Sequence, residues 1–153
     1  MTAEPAAIVA ALGMFAGTFA VGALSAVLPF ASIEVFLVGL VLVRGVDPAS
    51  GALIVVCAAA GQLAGKLPIY GAARGVAALQ HERLARLRAR LGRFANAPHL
   101  VLAASAVFGL PPFSIMATAA GALAIRIRAF CAIVLAGRAL RFALVIAVTA
   151  AYR

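Results

Sequence analysis

Acidic side chains are scarce in this chain, since only four of its 153 residues are Asp or Glu. Paired carboxylates for acid–base catalysis are therefore missing, and neither a Ser-His-Asp order nor a glycine-rich phosphate loop takes their place. His81, Glu82 and His99 flank a basic segment, but their spacing does not put metal ligands on one face. The sequence predicts no enzyme, no metal site and no cofactor.

Cysteine and charge are also sparse. Cys57 and Cys131 both lie inside apolar segments, where a thiol behaves as a small hydrophobic group, and this argues against a disulfide or metal role. Charged residues make up 11% of the chain and hydrophobic residues 66%. A soluble domain of this size would lack polar residues to cover its surface, so the composition predicts one integral membrane domain over residues 1–153.

The charges that are present are mostly positive: twelve arginines and one lysine against four acids give a formal net charge of +9. In so apolar a chain, an arginine excess is first a signal of membrane topology and not of nucleic-acid binding. No basic residue precedes the first apolar run, which argues against a cleaved secretory signal. We therefore expect membrane lipids, and no nucleic acid, as partners.

One apolar pattern occurs twice, at residues 25–44 and 105–126. Each copy begins with Ser-Ala-Val, is interrupted by proline, and ends in an apolar arm closed by arginine. The interruptions are Pro29 in the first copy and Pro111 with Pro112 in the second. Backbone groups released by such breaks are tolerated at membrane depth only where protein or water surrounds them. A proline kink without function would explain one break, but two in matching positions favour a shared cavity.

The arm beyond each break is too short to cross a bilayer. Residues 31–43 and 113–125 form arms of about thirteen residues, which as helices reach about 20 Å against a hydrocarbon core of roughly 30 Å. We expect each arm to enter the membrane and turn back, forming a re-entrant hairpin.

A longer apolar span follows each hairpin, at residues 49–69 and 129–150. Asp47 and Pro48 supply a helix cap and a first-turn proline for the first span, whose polar end is expected to kink at Pro68. These spans complete an all-α membrane fold.

The chain thus divides into two units of hairpin plus span, residues 5–75 and 98–153. Each span places a basic residue directly after a glycine, Lys66 in the first and Arg138 in the second. Residues 76–97 join the units and alternate leucine and arginine at helical spacing, which predicts a basic amphipathic helix on the membrane surface.

If each hairpin returns to the face it left, each unit crosses once and the second unit is inverted relative to the first. One face then collects eight arginines and the other two, so the positive-inside bias makes the richer face cytoplasmic, with both termini outside. In the competing topology, residues 6–28 cross completely and the N-terminus lies inside. The richer set is Arg74, Arg83, Arg86, Arg88, Arg90, Arg93, Arg126 and Arg128, and the other is Arg44 and Arg153.

Glu34 is the only acid inside an apolar stretch, five residues after Pro29. An ionised carboxylate there is costly unless it is paired or hydrated, so Glu34 binds a proton, faces a bound cation or forms a fixed structural ion pair. The candidate protein partners are Lys66, Arg138 and Arg141.

Arg138 and Arg141 are three positions apart, so they share one helix face that must point to protein or water. As binding groups they suit a lipid phosphate, because guanidinium offers paired donors to phosphate oxygens. As partners of Glu34 they would need no substrate.

Taken together, these segments resemble the DedA/VTT superfamily, the SNARE-associated Golgi protein family. The resemblance is carried by residues 29–34 with Gly39, by residues 61–75 with Tyr70 and Arg74, by residues 110–113 with Gly121, and by Phe130, Gly137, Arg138 and Phe142. It implies inverted re-entrant hairpins and, for the family, phospholipid scrambling or proton-coupled transport of polyprenyl phosphate carriers. Glu34 would match the hairpin acid and Arg138 an arginine of the last helix.

The chain departs from the family pattern at two places: Lys66 stands where an acid commonly precedes the tyrosine, and the arginine usual after the second-hairpin proline is absent. The expected function is a transporter or lipid scramblase of a bacterial inner (plasma) membrane, moving a lipid or polyprenyl phosphate. Tyr70 and Arg74 are expected in supporting positions. A homo-oligomer is compatible with the pattern. The alternative is a non-transporting membrane scaffold that binds anionic lipid or a partner protein through its basic helix, with loop 74–97 cytoplasmic.

Overall fold

The computed structural model describes residues 5–28, 32–79, 86, 97–109 and 113–152. All regular secondary structure in these residues is helical, which confirms the predicted all-α class. The six helices are α1 (Pro5–Val27), α2 (Ile33–Arg44), α3 (Pro48–Leu79), α4 (Pro98–Phe108), α5 (Phe113–Ala122) and α6 (Ile127–Ala151). The breaks at Pro29, Pro111 and Pro112 lie outside the described residues, as does the basic segment 80–96 apart from Arg86.

Among the described residues, two helices are long and apolar enough to cross a membrane: α3 with 32 residues and α6 with 25. Helix α6 matches the span predicted at residues 129–150. Helix α3 starts as predicted but continues through Pro68 to Leu79, so residues 76–79 of the expected surface helix belong to it. Proline removes one backbone hydrogen bond, but Tyr70 just beyond it is only 2% exposed, and its burial holds the helix together there.

Asp47 caps α3, as the sequence predicts. The backbone N–H of Ser50 donates to Asp47 Oδ2 at 3.0 Å, in the geometry of a helix N-cap. Hydrogen bonds from the side chain and backbone of Ser50 lower the pKa of the exposed Asp47 carboxyl from its usual value of 3.8. The ionised carboxylate therefore stabilises the start of this helix.

The two short arms lie close to their predicted ranges. Ser32 caps α2, and its side chain accepts a hydrogen bond from the Val35 amide at 3.4 Å. Helix α5 ends at Ala122, earlier than predicted, because Ala124 adopts a left-handed conformation with φ of 55°. The amides of Ala124 and Ile125 then donate to carbonyls of the last turn, a helix-ending pattern that sequence usually marks with glycine.

Glycines let α1 and α3 touch backbone to backbone. A Cβ on Gly61 would overlap the carbonyl oxygen of Phe19, and a Cβ on Gly65 would lie 2.6 Å from that of Ala26. Since the later residue of α1 meets the later residue of α3, the two helices run in the same direction. Close contact through small residues is typical of helices packed in a membrane.

Helices α4 and α6 repeat this arrangement. A Cβ on Gly137 would lie 2.6 Å from that of Ala106, the same separation as in the first unit, and Gly109 farther along contacts Arg141. Ala106 holds the place in the second Ser-Ala-Val that Ala26 holds in the first. Each unit thus packs its first arm along its own long helix.

The second arms are exchanged between the units. Helix α5 packs on α3, where a Cβ on Gly121 would overlap the carbonyl oxygen of Tyr70, and α2 packs on α6. The long helices themselves run antiparallel, because Gly51 near the start of α3 neighbours Ile146 near the end of α6, whereas Tyr70 stacks on Phe130 at 4.6 Å. Arg44 therefore lies at one end of the molecule and Arg74 at the other.

The interior contains polar and charged side chains, and large apolar side chains face outward. The buried polar set is Thr18, Gln62, Lys66, Ser105 and Arg138. Exposed apolar residues occur on every helix described, such as Leu24, Val43, Val56, Leu100, Ile115 and Leu144. Buried charges together with many exposed large apolar side chains are unusual in a soluble protein.

Candidate functional site

Arg141 binds both interrupted regions of the chain. Its Nε donates to Glu34 Oε1 at 2.6 Å, and its Nη1 donates to the carbonyl oxygen of Val107 at 3.1 Å. Glu34 lies in the first turn of α2, just after the first break, and Val107 lies at the end of α4, just before the second. An acid at a helix start and a cation at a helix end are each favourable with the helix dipole.

The chain makes room for this arginine at Gly109. This glycine ends α4 in a left-handed conformation with φ of 79°, and a Cβ there would lie 2.9 Å from Arg141 Nη1. A side chain would be strained by the backbone conformation and would press on the guanidinium. Gly109 was not among the predicted site residues, although its position between an apolar helix and two prolines is a signal for a tight helix end.

Lys66 makes the corresponding connection from α3. Its Nζ donates to the carbonyl oxygen of Ala26, at the end of α1, and to Ser114 Oγ at 2.7 Å, at the start of α5. Lys66 and Arg141 therefore bind in the same way. Each donates to a carbonyl at the end of the first arm of its own unit, and to a side chain at the start of the second arm of the other unit. Ser114 in the second copy corresponds to Ser32 in the first.

Arg138 is buried without an acidic partner. It is 8% exposed, and its guanidinium carbon lies 4.5 Å from the ring centroid of Phe113, over which Lys66 Nζ lies at 5.9 Å. Its Nε has no hydrogen-bond partner among the described residues. The aromatic face attracts both cations but does not neutralise them, so this cluster of Lys66, Arg138 and Phe113, here called the cation cluster, carries net positive charge.

The pairing of Glu34 answers one question left open by the sequence. Of its three candidate partners, Arg141 makes the ion pair, with side chains 26% and 34% exposed for Arg141 and Glu34. It is the one ion pair found between described residues. Neither Lys66 nor Arg138 forms an ion pair with a described acid.

A polar pair next to the cation cluster was missed by sequence reasoning. Gln62 Nε2 donates to Ser25 Oγ at 2.9 Å, and Ser25 Oγ donates to the Gly22 carbonyl at 2.8 Å. Gln62 Oε1 is buried with no hydrogen-bond partner among the described residues. The signal in the sequence is that Gln62 precedes Lys66 by four positions, one helical turn, and so shares its face.

Tyr70 and Arg74 lie apart from the cation cluster, farther along α3. The Tyr70 hydroxyl donates to the Ile125 carbonyl, and Arg74 Nη1 donates to the Tyr70 hydroxyl at 2.7 Å and to the same carbonyl at 3.1 Å. These bonds attach the end of α3 to the turn before α6.

The described residues contain no group of three or more His, Cys, Asp or Glu side chains that could hold a metal. Cys57 and Cys131 are free thiols. What the site offers is two buried cationic donors, the Lys66 ammonium and the Arg138 guanidinium. Such donors suit an anion.

Comparison of this chain with protein-family models, with curated proteins and with solved structures finds no match.

Proposed function

We propose that this chain is an integral membrane transporter or lipid scramblase of DedA/VTT type, in which Lys66 and Arg138 receive the phosphate of a lipid or polyprenyl phosphate. The observation that carries the proposal is the cation cluster, two buried positive charges on one aromatic ring, neither of which forms an ion pair with a described acid. Burying unpaired charge is expensive, and an anionic ligand relieves that cost.

The proposed architecture is a pair of inverted re-entrant hairpins. Three contacts support it: α1 runs parallel to α3, α4 runs parallel to α6, and the long helices are antiparallel to each other. Each first arm then enters with its own span and stops at the centre, beside Lys66 or Arg141. The apolar exterior faces lipid, in an inner membrane of bacterial type with the Arg74 end cytoplasmic.

Glu34 acts in this proposal as the group that controls Arg141. Its carboxylate accepts a hydrogen bond from the Nε of Arg141. Removing this charge by Glu34→Gln frees Arg141, one helical turn from Arg138, to bind phosphate.

Reconstitution into liposomes tests the proposal. A fluorescent anionic phospholipid in both leaflets is quenched from outside, and the fraction quenched reports lipid movement. Arg138→Gln and Lys66→Gln are each expected to slow movement by roughly tenfold, the size of one lost charged hydrogen bond. Arg44→Gln, at an exposed arginine outside the cluster, is the control.

Unchanged rates in both cluster variants, or equal losses in those variants and the control, would reject the proposal. The scaffold alternative depends on the basic segment 80–96, and apart from Arg86 those residues lie outside the described part of the chain. No described contact favours it.

A further inference from the structure

A second basic site lies at the cytoplasmic end of the proposed orientation. An open pocket of about 570 Å³ is lined by Tyr70, Arg74, Arg126, Ile127 and Arg128. Three of these five side chains are guanidinium groups and none is acidic. This set is here called the arginine pocket.

No described acid compensates the arginine pocket. Glu34 is paired with Arg141, and Asp47 caps the opposite end of α3. The side chains of Arg126 and Arg128 are exposed and have neither a hydrogen bond nor an ion pair with a described residue. Their charges are therefore available to a ligand.

The pocket wall is held in place by the rest of the fold. The carbonyl of Ile125 accepts from both Tyr70 and Arg74, and the Tyr70 ring stacks on Phe130. Ala124 supplies the left-handed turn that brings Arg126 alongside them, a conformation that costs a non-glycine residue free energy. Three arginines from two separate segments thus line one open pocket.

We propose that the arginine pocket binds a phosphate group. Guanidinium groups bind phosphate through paired N–H donors, and a cavity of this volume falls in the usual range for small-molecule sites, roughly 300–1,000 Å³. The site is distinct from the cation cluster, because Arg74 lies eight positions beyond Lys66, about 12 Å along the helix. It therefore does not depend on transport through the cluster.

The phosphate can come from a lipid headgroup or from a soluble molecule. The full chain in uncharged detergent is titrated calorimetrically with inorganic phosphate in one arm and with short-chain phosphatidate in the other, and short-chain phosphatidylcholine is the reference lipid. Arg126→Gln/Arg128→Gln removes two pocket charges without breaking a described contact. Arg44→Gln removes an exposed charge at the other end of the molecule and is the control, with Arg126→Gln alone as its charge-matched comparison.

Wild-type binding that weakens at least about tenfold in the pocket variant, and stays unchanged in the control, is the expected result. Binding in the phosphatidate arm alone assigns the site to a lipid headgroup, binding in the phosphate arm alone assigns it to a soluble phosphate, and binding in both shows that the phosphate group itself is recognised. Absence of binding in both arms, or equal weakening in both variants, would overturn the proposal. Thermal unfolding of each variant in the same detergent checks that the fold is retained.

Discussion

Arg141 holds two helix ends that the chain separates by more than seventy residues, Glu34 at the start of α2 and Val107 at the end of α4. Lys66 does the same for Ala26 and Ser114. In both cases a carbonyl freed by the end of a helix receives a charged donor instead of water. The helix ends are stabilised because a side chain satisfies the backbone.

The Glu34–Arg141 ion pair gives a direct measure of this coupling. Glu34→Gln and Arg141→Gln are each expected to lower the free energy of unfolding, and the double variant should lose less than the sum of the two. Residues in contact show coupling energies of roughly 0.5–3 kcal/mol, and the partial exposure of this pair argues for the lower part of that range. Denaturant unfolding in detergent measures the free energy of unfolding of the wild type, the two single variants and the double variant.

Arg141→Gln should also cost more than Glu34→Gln, since it releases the Val107 carbonyl as well. Additive losses in the double variant would show that the two side chains do not interact in the membrane protein. Lys66→Gln paired with Glu34→Gln serves as the matched control, since no described contact joins these two side chains.

Asp47 provides a pH-dependent contribution outside the membrane spans. Its folded pKa is lowered, so its stabilisation is present above the unfolded value of about 3.8 and is lost as the pH falls through the lower folded value. Asp47→Ala should therefore lower the unfolding temperature at pH 7, and the difference from wild type should shrink below about pH 3.8. Asp47→Asn keeps a capping oxygen without the charge and is the control. A gap that is constant across this pH range would contradict the expectation.

The sequence identified Glu34 because a lone acid in an apolar arm is conspicuous, and it identified the three basic candidates for the same reason. It could not choose among them. Arg138 and Arg141 share one face, and the choice depends on where α2 lies along α6, a contact between helices far apart in the chain. The role of Phe113 was likewise hidden, because an aromatic residue after proline looks like ordinary lipid-facing sequence.

At the scale of elements, glycine position decides how closely helices approach. Gly61→Ala places a Cβ against the Phe19 carbonyl, which belongs to the backbone of α1 and cannot rotate away, so the two helices must separate. Such overpacking costs roughly 1–3 kcal/mol. Gly71→Ala on the same helix is the matched control, since nothing lies within 4 Å of its added Cβ and alanine favours helix by roughly 0.5–1 kcal/mol. Thermal unfolding in detergent should move in opposite directions for the two variants, and equal shifts would contradict this packing.

Arms and spans could be located from the sequence because proline, capping residues and apolar length act locally. Helix α2 begins and ends within two residues of its predicted arm, and α6 within two residues of its predicted span. The end of α3 could not be located, because Pro68 is a strong local stop signal that the burial of Tyr70 overrides. Local signals fail where a contact with a distant helix supplies the stabilisation.

At the scale of the whole molecule, the two units hold each other by exchanging their second arms. Helix α5 lies on α3 and α2 lies on α6, so neither unit completes its own core. The sequence repeat predicts two related units, but not which long helix each arm contacts. That choice depends on Lys66 and Ser114, and on Arg141 and Glu34, meeting at the centre.

This arrangement has a consequence for topology that a labelling experiment can measure. Arg44 and Arg126 close the second arms of the two sequence copies, yet they lie at opposite ends of the antiparallel pair α3 and α6. In a chain with both native cysteines replaced by alanine, Arg44→Cys should react with a membrane-impermeant maleimide only from outside the cell. Arg126→Cys should react only from the cytoplasmic face, where the positive-inside bias places the arginine-rich end.

Inside-out and right-side-out vesicles distinguish the two faces, and lysis of the vesicles shows that both positions can react. If equivalent positions of a repeated sequence label from opposite faces, the two copies enter the bilayer from opposite sides, and the centre at which Lys66 and Arg141 lie is reached from both. If both positions label from the same face, the two copies are parallel. The contacts between α3 and α5 would then join two helices that run in opposite directions through the membrane. The antiparallel contacts of α3 and α6 make the first result the expected one.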